Sequence, residues 1–192
     1  MTRPTITAIS GSLRTSSYTR VSLAYTLEAA ERKGSTTELI DLREYELPPI
    51  NPGDEEPADA TRLTATVRET DAVLLGTPVY HGSYSAPLKN ALDYCGFDEF
   101  EDTTVGLLAV AGGAFPVSAL DHLRTVCRAV NAWVLPHQAA IPNVYDQVEG
   151  GNITDETIAE RVETLGERAV EFARLEPDPQ CFESEHNIWP TA

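Results

Sequence analysis

The sequence predicts one α/β domain built as a three-layer sandwich: a five-stranded, doubly wound parallel sheet with helices on both faces. Two observations carry this. Short, β-branched apolar runs alternate with longer amphipathic runs along the whole chain, the mark of successive βα units. The run 105–110 is apolar throughout except for Gly106, as expected of a central strand covered on both sides. With 192 residues the chain is long enough for one substantial core and too short for two ordinary domains.

Residues 5–9 read as the first strand. Over 18–32, Leu23, Leu27 and Ala30 recur at helical spacing, and Gly34 stands where that helix would stop. Residues 37–40 make the second strand, and the Pro-, Asp- and Glu-rich stretch 47–59 reads as a surface loop. A short helix carrying Ala60, Leu63 and Val67 leads to a third strand at 72–76. Ser85 is a helix cap with Pro87 in the first turn, and Leu88, Ala91 and Leu92 share one face of the helix that follows. After the fourth strand, Leu120, Leu123, Cys127 and Val130 mark another helix, and 133–135 a fifth strand. The last helix has Thr154 as cap, Asp155 and Glu156 in its first turn, and Ile158, Val162, Leu165, Ala169 and Phe172 along its apolar stripe. Five strands in strict alternation with about five helices favour a flavodoxin-like sandwich over a six-stranded dinucleotide fold, with residues 1–175 as the domain. Residues 176–192 form an acidic tail with four carboxylates, no Lys or Arg, and Trp189. The tail reads as disordered or as packing against a partner subunit.

Charge is the unusual property. Thirty Asp and Glu against fourteen Lys and Arg give a formal −16, and only Lys33 and Lys89 are lysines. Such a surface repels nucleic acid and anionic membrane, so neither is expected as a partner. Two readings of the charge stay open: adaptation to concentrated salt, where the Debye length falls to about 3 Å at 1 M, and an ordinary acidic protein. Lysine scarcity favours the halophilic one. No run of 18 apolar residues exists, and the first strand begins almost at the amino terminus without a basic leader, so a cytoplasmic protein is expected. Cys95, Cys127 and Cys181 are odd in number and widely spaced, which suggests neither a disulfide framework nor a metal site.

In a doubly wound sheet, ligands bind beyond the carboxyl ends of the strands, which directs attention to the loops after strands one, three and four. In the first, residues 10–19, six of ten residues are serine or threonine, with one glycine and Arg14. Hydroxyls, a forked guanidinium and N–H groups at a helix start can converge on a phosphate, although a serine-rich turn alone is more often a solvated cap. The GxxxxGK[ST] and GxGxxG patterns are both absent. The second loop, Thr77-Pro78-Val79-Tyr80-His81-Gly82-Ser83-Tyr84-Ser85, supplies glycine for close approach and amides for a planar heteroaromatic ligand. His81 is the residue there suited to acid–base work, but no nucleophile motif accompanies it, and a plain loop histidine explains it equally. The third loop, Ala111-Gly112-Gly113, is a tight glycine turn.

The stretches GSLRTSSYTR and PVYHGSYSAPLKNALDY resemble the NADPH-dependent FMN reductase family, whose patterns read roughly GSxRxxSxxR and PxYxGSxxxxLKNAxD. The resemblance spans about residues 4–175. It implies a flavodoxin-like fold that binds FMN and passes hydride from NADH or NADPH to flavin, quinone, azo or similar small acceptors in ping-pong order, with no catalytic side chain required. It further implies that Ser12, Arg14, Ser17 and Thr19 hold the FMN phosphate with Ser10 nearby. Pro78, Val79, Tyr80, His81, Gly82 and Ser83 would border the ring, with Gly112 and Gly113 at its polar edge. A homodimer or homotetramer is implied as well. Val79 stands where many members carry Glu, and His81 where Asn is common. The alternatives are a flavodoxin-type FMN electron carrier serving protein partners, and a binding protein that has kept the fold and lost turnover.

Overall fold

The computed structural model describes residues 3–174 apart from Pro52 and Asp54. Five strands, β1 (Thr5–Ser10), β2 (Thr36–Asp41), β3 (Ala72–Pro78), β4 (Thr104–Val110) and β5 (Trp133–Ile141), pair in parallel in the order β2-β1-β3-β4-β5. This is the flavodoxin-like order, with its switch point between β1 and β3. The chain leaves β1 in one direction, turns back past it to β3, and opens a crevice where the two connections diverge.

The principal helices are α1 (Tyr18–Arg32), α2 (Ala58–Arg68), α3 (Ala86–Asp93), α5 (Val117–Ala129) and α7 (Glu156–Glu171). Single turns α4 (Phe97–Phe100) and α6 (Val144–Gln147), and a small hairpin of β6 (Val148–Glu149) with β7 (Asn152–Ile153), fill the connections. Alternation along the central strands divides the core into two layers. Ile6, Ala8, Leu74 and Leu108 face Leu23 and Leu27 of α1 and Val162 and Leu165 of α7. Ile9, Val73, Leu75 and Leu107 face α2, α3 and α5 through Leu63, Leu88, Leu92, Leu120 and Leu123. Every residue of β4 is buried, as its unbroken apolar run predicts.

The α1–α7 seam shows which force holds the layers. Arg32 pairs with Glu163, and Lys33 lies between Glu167 and Glu171, but all these groups are about half exposed and such pairs contribute roughly 0–1 kcal/mol each. The buried leucines and valines contribute about 1.5–3 kcal/mol apiece and dominate. The two helices approach so closely that a Cβ added to Gly166 would lie 2.0 Å from the carbonyl oxygen of Thr26. Cys95 and Cys127 are free and buried, and burial pushes both thiols up to about 12, so they are protonated at neutral pH.

The structure corrects three local expectations. The fifth strand runs to Ile141 instead of ending at 135: the register jumps from Val105–Val134 to Leu107–Gln138, so a bulge carries the strand through Pro136. The cap of α7 is Asp155, whose carboxylate accepts from the N–H of Ile158 at 2.9 Å, and Thr154 instead hydrogen-bonds the carbonyl of Gln147. Strand β3 reaches Pro78, delivering its end directly into the second loop. The tail, with Cys181 and Trp189, lies outside the described residues. Among those described, no helix is long and apolar enough to cross a membrane.

Candidate functional site

At the carboxyl end of the sheet, a cleft of about 350 Å³ is lined by Ser12, Arg14, Tyr18, Thr19, Pro78, Val79, Tyr80, Val110, Gly112, Gly113, Val144 and Tyr145. Among the described residues, no carboxylate lines it. In a chain of net charge −16 this is a local reversal, and its cause lies in the first loop.

That loop leaves β1 at Ser10 and enters α1 at Ser17, whose hydroxyl oxygen accepts from the N–H of Arg20 at 3.1 Å. Among the described residues, the N–H groups of Tyr18 and Thr19 have no protein acceptor, as expected at a helix start, and they carry the positive end of the fifteen-residue α1 dipole. The exposed Arg14 guanidinium has, among the described residues, no carboxylate partner, and the Thr19 hydroxyl is likewise unengaged. Arg20 fastens the loop from beneath. Its guanidinium donates to the carbonyl oxygens of Arg14, at 3.4 Å, and Thr15, and pairs with Asp41 at 3.3 Å. Asp41, at the end of β2, is also bound by Arg43, whose side-chain hydrogen bond holds the carboxyl below the ordinary range. A carboxylate therefore sits behind the loop, neutralised by two arginines, while Arg14 is left free in front.

The second loop is a tight hairpin. Tyr80 and Ser83 exchange backbone hydrogen bonds of 3.0 and 3.1 Å, and the two residues between them, His81 (φ 50°) and Gly82 (φ 79°), are both left-handed. A two-residue turn with positive φ at both positions is the type I′ pattern that favours Asn-Gly, which explains His81 where Asn is common, since histidine is among the few side chains tolerated there. Ser83 hydrogen-bonds Nδ1 of His122 on α5 at 3.0 Å. The first two loops are joined through Ser85, the cap of α3: its hydroxyl donates to the carbonyl of Gly11 at 2.7 Å, and its N–H donates to Oγ1 of Thr77 at 2.9 Å.

Of the residues singled out in the sequence, Ser12, Arg14, Thr19, Pro78, Val79, Tyr80, Gly112 and Gly113 converge on the cleft. Ser10 lies beneath it, its Oγ buried without a partner. Ser17 caps α1, and His81, Gly82 and Ser83 form the turn beside the cleft instead of its wall. The sequence did not signal Tyr18, Val110, Val144 and Tyr145. The Tyr18 and Tyr145 rings meet edge to face, 5.7 Å between centroids at 82°, and Tyr145 lies over the glycine loop so closely that a Cβ on Gly112 would come within 2.9 Å of its ring. A side chain at 112 would therefore press on this ring, which is 63% exposed and would have to shift.

A family model described as NADPH-dependent FMN reductase matches residues 4–146, which include all three loops. The chain belongs to that family. Among curated members it is 35% identical over 138 residues to an FMN-dependent NADPH-azoreductase of Staphylococcus aureus, covering 69% of this chain and 73% of the relative. An enzyme of the same name from Staphylococcus saprophyticus is 29% identical over 178 residues, covering 88% and 95%. Among solved structures, the NAD(P)H:(acceptor) oxidoreductase FerB of Paracoccus denitrificans superposes with a TM-score of 0.75 at 22% identity, over 88% of this chain and 97% of that one. This last likeness establishes the shared family fold.

Proposed function

We propose that the cleft holds FMN and that the protein is an FMN-dependent oxidoreductase taking hydride from NADH or NADPH and reducing flavins, quinones, azo compounds or similar small acceptors in ping-pong order. The observation that carries this is the donor set of the cleft: among the described residues, free helix N–H groups, an arginine with no carboxylate partner, the unengaged Thr19 hydroxyl and the Ser12 hydroxyl at one end, with no carboxylate in the lining. A phosphate monoester fits that end. The glycine floor under Tyr145 fits a flat ring brought against backbone.

In this reading Ser12, Arg14 and Thr19, with the N–H groups of Tyr18 and Thr19, hold the phosphate. Ser17 fixes the start of α1, and Arg20 keeps the loop carbonyls of Arg14 and Thr15 turned away from the anion. Pro78, Val79 and Tyr80 border the ring on one side and Gly112 and Gly113 on the other, with the 80–83 hairpin setting the position of Tyr80. Bound FMN supplies the hydride-accepting and hydride-donating chemistry, leaving the protein to orient, exclude water and stabilise charge. No side chain is assigned a catalytic role.

The domain of residues 1–175 would act in the cytoplasm, in keeping with two free buried cysteines, and as a homodimer or homotetramer. Exposed apolar side chains near the cleft favour such assembly: Leu13, Tyr80 and Phe115, the last 84% exposed. The −16 charge and lysine scarcity favour a salt-adapted protein. The direct test is colour. Purified protein, or protein mixed with FMN and desalted, should be yellow and should bleach anaerobically with NADH or NADPH. Colourless protein that ignores added FMN overturns the assignment, and a stable one-electron state with negligible nicotinamide oxidation would instead mark an electron carrier.

A further inference from the structure

Away from the cleft, the open edge of β5 forms with α7 a second concavity of about 660 Å³, lined by Trp133, Pro136, His137, Thr164, Arg168 and Phe172 among others. It is largely apolar, and its two aromatic rings are well exposed, Trp133 at 46% and Phe172 at 39%. We propose that this groove is the docking site of the chain's own carboxyl-terminal segment, residues 175–192.

Three observations favour that occupant. The first is that the strand edge is closed to another strand. Arg124 donates to the carbonyl of Leu135 at 3.2 Å and to the side chain of Gln138 at 2.8 Å, Arg161 donates to the carbonyl of Ala140 at 2.6 Å, and Pro136 has no N–H to offer. A partner sheet therefore cannot extend this edge, and the groove takes side chains.

The second is charge. Arg124, Arg161 and Arg168 gather around this edge in a chain that carries only fourteen Lys and Arg in all. On α7, Arg161, Thr164, Arg168 and Phe172 share the face toward β5, whereas Glu163, Glu167 and Glu171 reach the cations of α1, although Arg168 also pairs with Glu171 at 2.8 Å. Trp133 Nε1 also donates to Asp102 at 3.2 Å, so the charge is mixed at that end; the apolar, aromatic groove with Arg168 in its lining and Arg124 and Arg161 beside it matches a segment with Phe182, Ile188 and Trp189, four carboxylates and no Lys or Arg.

The third is connection. The segment begins three residues after Phe172, a groove residue, and its eighteen residues reach up to about 60 Å when extended. Tethering at so short a distance gives an effective concentration of roughly millimolar, so even a weak contact is populated without a second molecule.

The chain contains two tryptophans, one in the groove and one in the segment, and they serve as reporters. In the full-length Trp133→Phe variant, Trp189 emission should be blue-shifted and acrylamide quenching reduced several-fold relative to a synthetic 175–192 peptide. Both should be unchanged on hundred-fold dilution and return toward the peptide values in an added Arg168→Glu, Phe172→Ser background. Truncation after Arg174 should shift Trp133 emission to the red, with unchanged far-ultraviolet circular dichroism showing that the fold persists. Trp189 quenched as in the peptide, with Trp133 indifferent to truncation, overturns the proposal. Protection of Trp189 that disappears on dilution together with a dimer mass also overturns it, assigning the segment to a second copy.

Discussion

The hydroxyl of Ser85 donates to the main-chain carbonyl of Gly11 across 2.7 Å, joining residues 74 apart in sequence. The same oxygen accepts from the N–H of Leu88 and starts α3, so one side chain fixes the helix and ties the first loop to the second. The Ser85→Ala variant should lose about 1–3 kcal/mol, combining a lost cap with a buried carbonyl left unpaired. It should also weaken FMN, because both loops shift. Urea unfolding and flavin titration measure the two effects; unchanged FMN affinity would show that the loops hold their positions without this bond.

Arg14 is the exposed guanidinium of the cleft, with no carboxylate partner among the described residues. Arg14→Ala should weaken FMN binding by about 1.5–3 kcal/mol, the scale of a charged hydrogen bond, with little change in stability. Arg20→Ala should weaken FMN and stability together, since Arg20 supports the loop through Asp41. Fluorescence titration with thermal melts separates the two patterns.

Asp41 makes an acid-dependent contribution whose sign follows from its lowered pKa. Its carboxylate is held below the ordinary 3.8 chiefly by the hydrogen bond from Arg43, so the stabilisation is complete above that value and is lost as pH falls through the lowered one. Asp41→Asn should therefore be less stable than the parent at pH 6, and the gap should narrow below about pH 3.8. Denaturant midpoints for both proteins between pH 6 and pH 2 measure it; a gap constant with pH would remove ionisation of Asp41 from the account.

At position 81 the left-handed backbone decides the outcome. His81→Asn should be neutral or stabilising by a few tenths of a kcal/mol, whereas His81→Val should cost about 1–2 kcal/mol because a β-branched residue is poorly tolerated at positive φ. Equal stability of the two variants would mean that the turn relaxes out of its type I′ form.

Gly166→Ala sets two effects against each other. Alanine gains about 1 kcal/mol of helix propensity, but its methyl would lie 2.0 Å from the Thr26 carbonyl, and a backbone atom cannot swing aside. The clash should win, with a net loss of about 1–3 kcal/mol in a chemical denaturation. A stabilised variant would show that α1 and α7 can separate freely.

Much of the fold was legible because parallel strands buried on both faces leave unbroken apolar runs such as that of β4, and because Ser85 and Pro87 are local signals. β5 was underestimated where Pro136, His137 and Gln138 interrupt the apolar pattern at a bulge, and with it went Val144 and Tyr145, which lie just beyond its true end. The loops of the cleft were legible in their serines, arginine and glycines. The supports behind them were not: Arg20 belongs to the first motif, yet its partner Asp41 is set by the register of β2 beside β1, and the Ser85–Gly11 bond by the meeting of two crossovers.

The contact of Thr26 with Gly166 also bears on how the protein is made. All five strands of the sheet and the whole cleft are encoded before residue 146, but α7 begins only at Glu156. Until α7 leaves the ribosome, the part of the sheet face around Leu108 and β5 lacks the cover that Val162 and Leu165 give it, while α1 already packs on β3. Among the described elements, α7 is the last to be made, and it completes the cover on that face of the sheet.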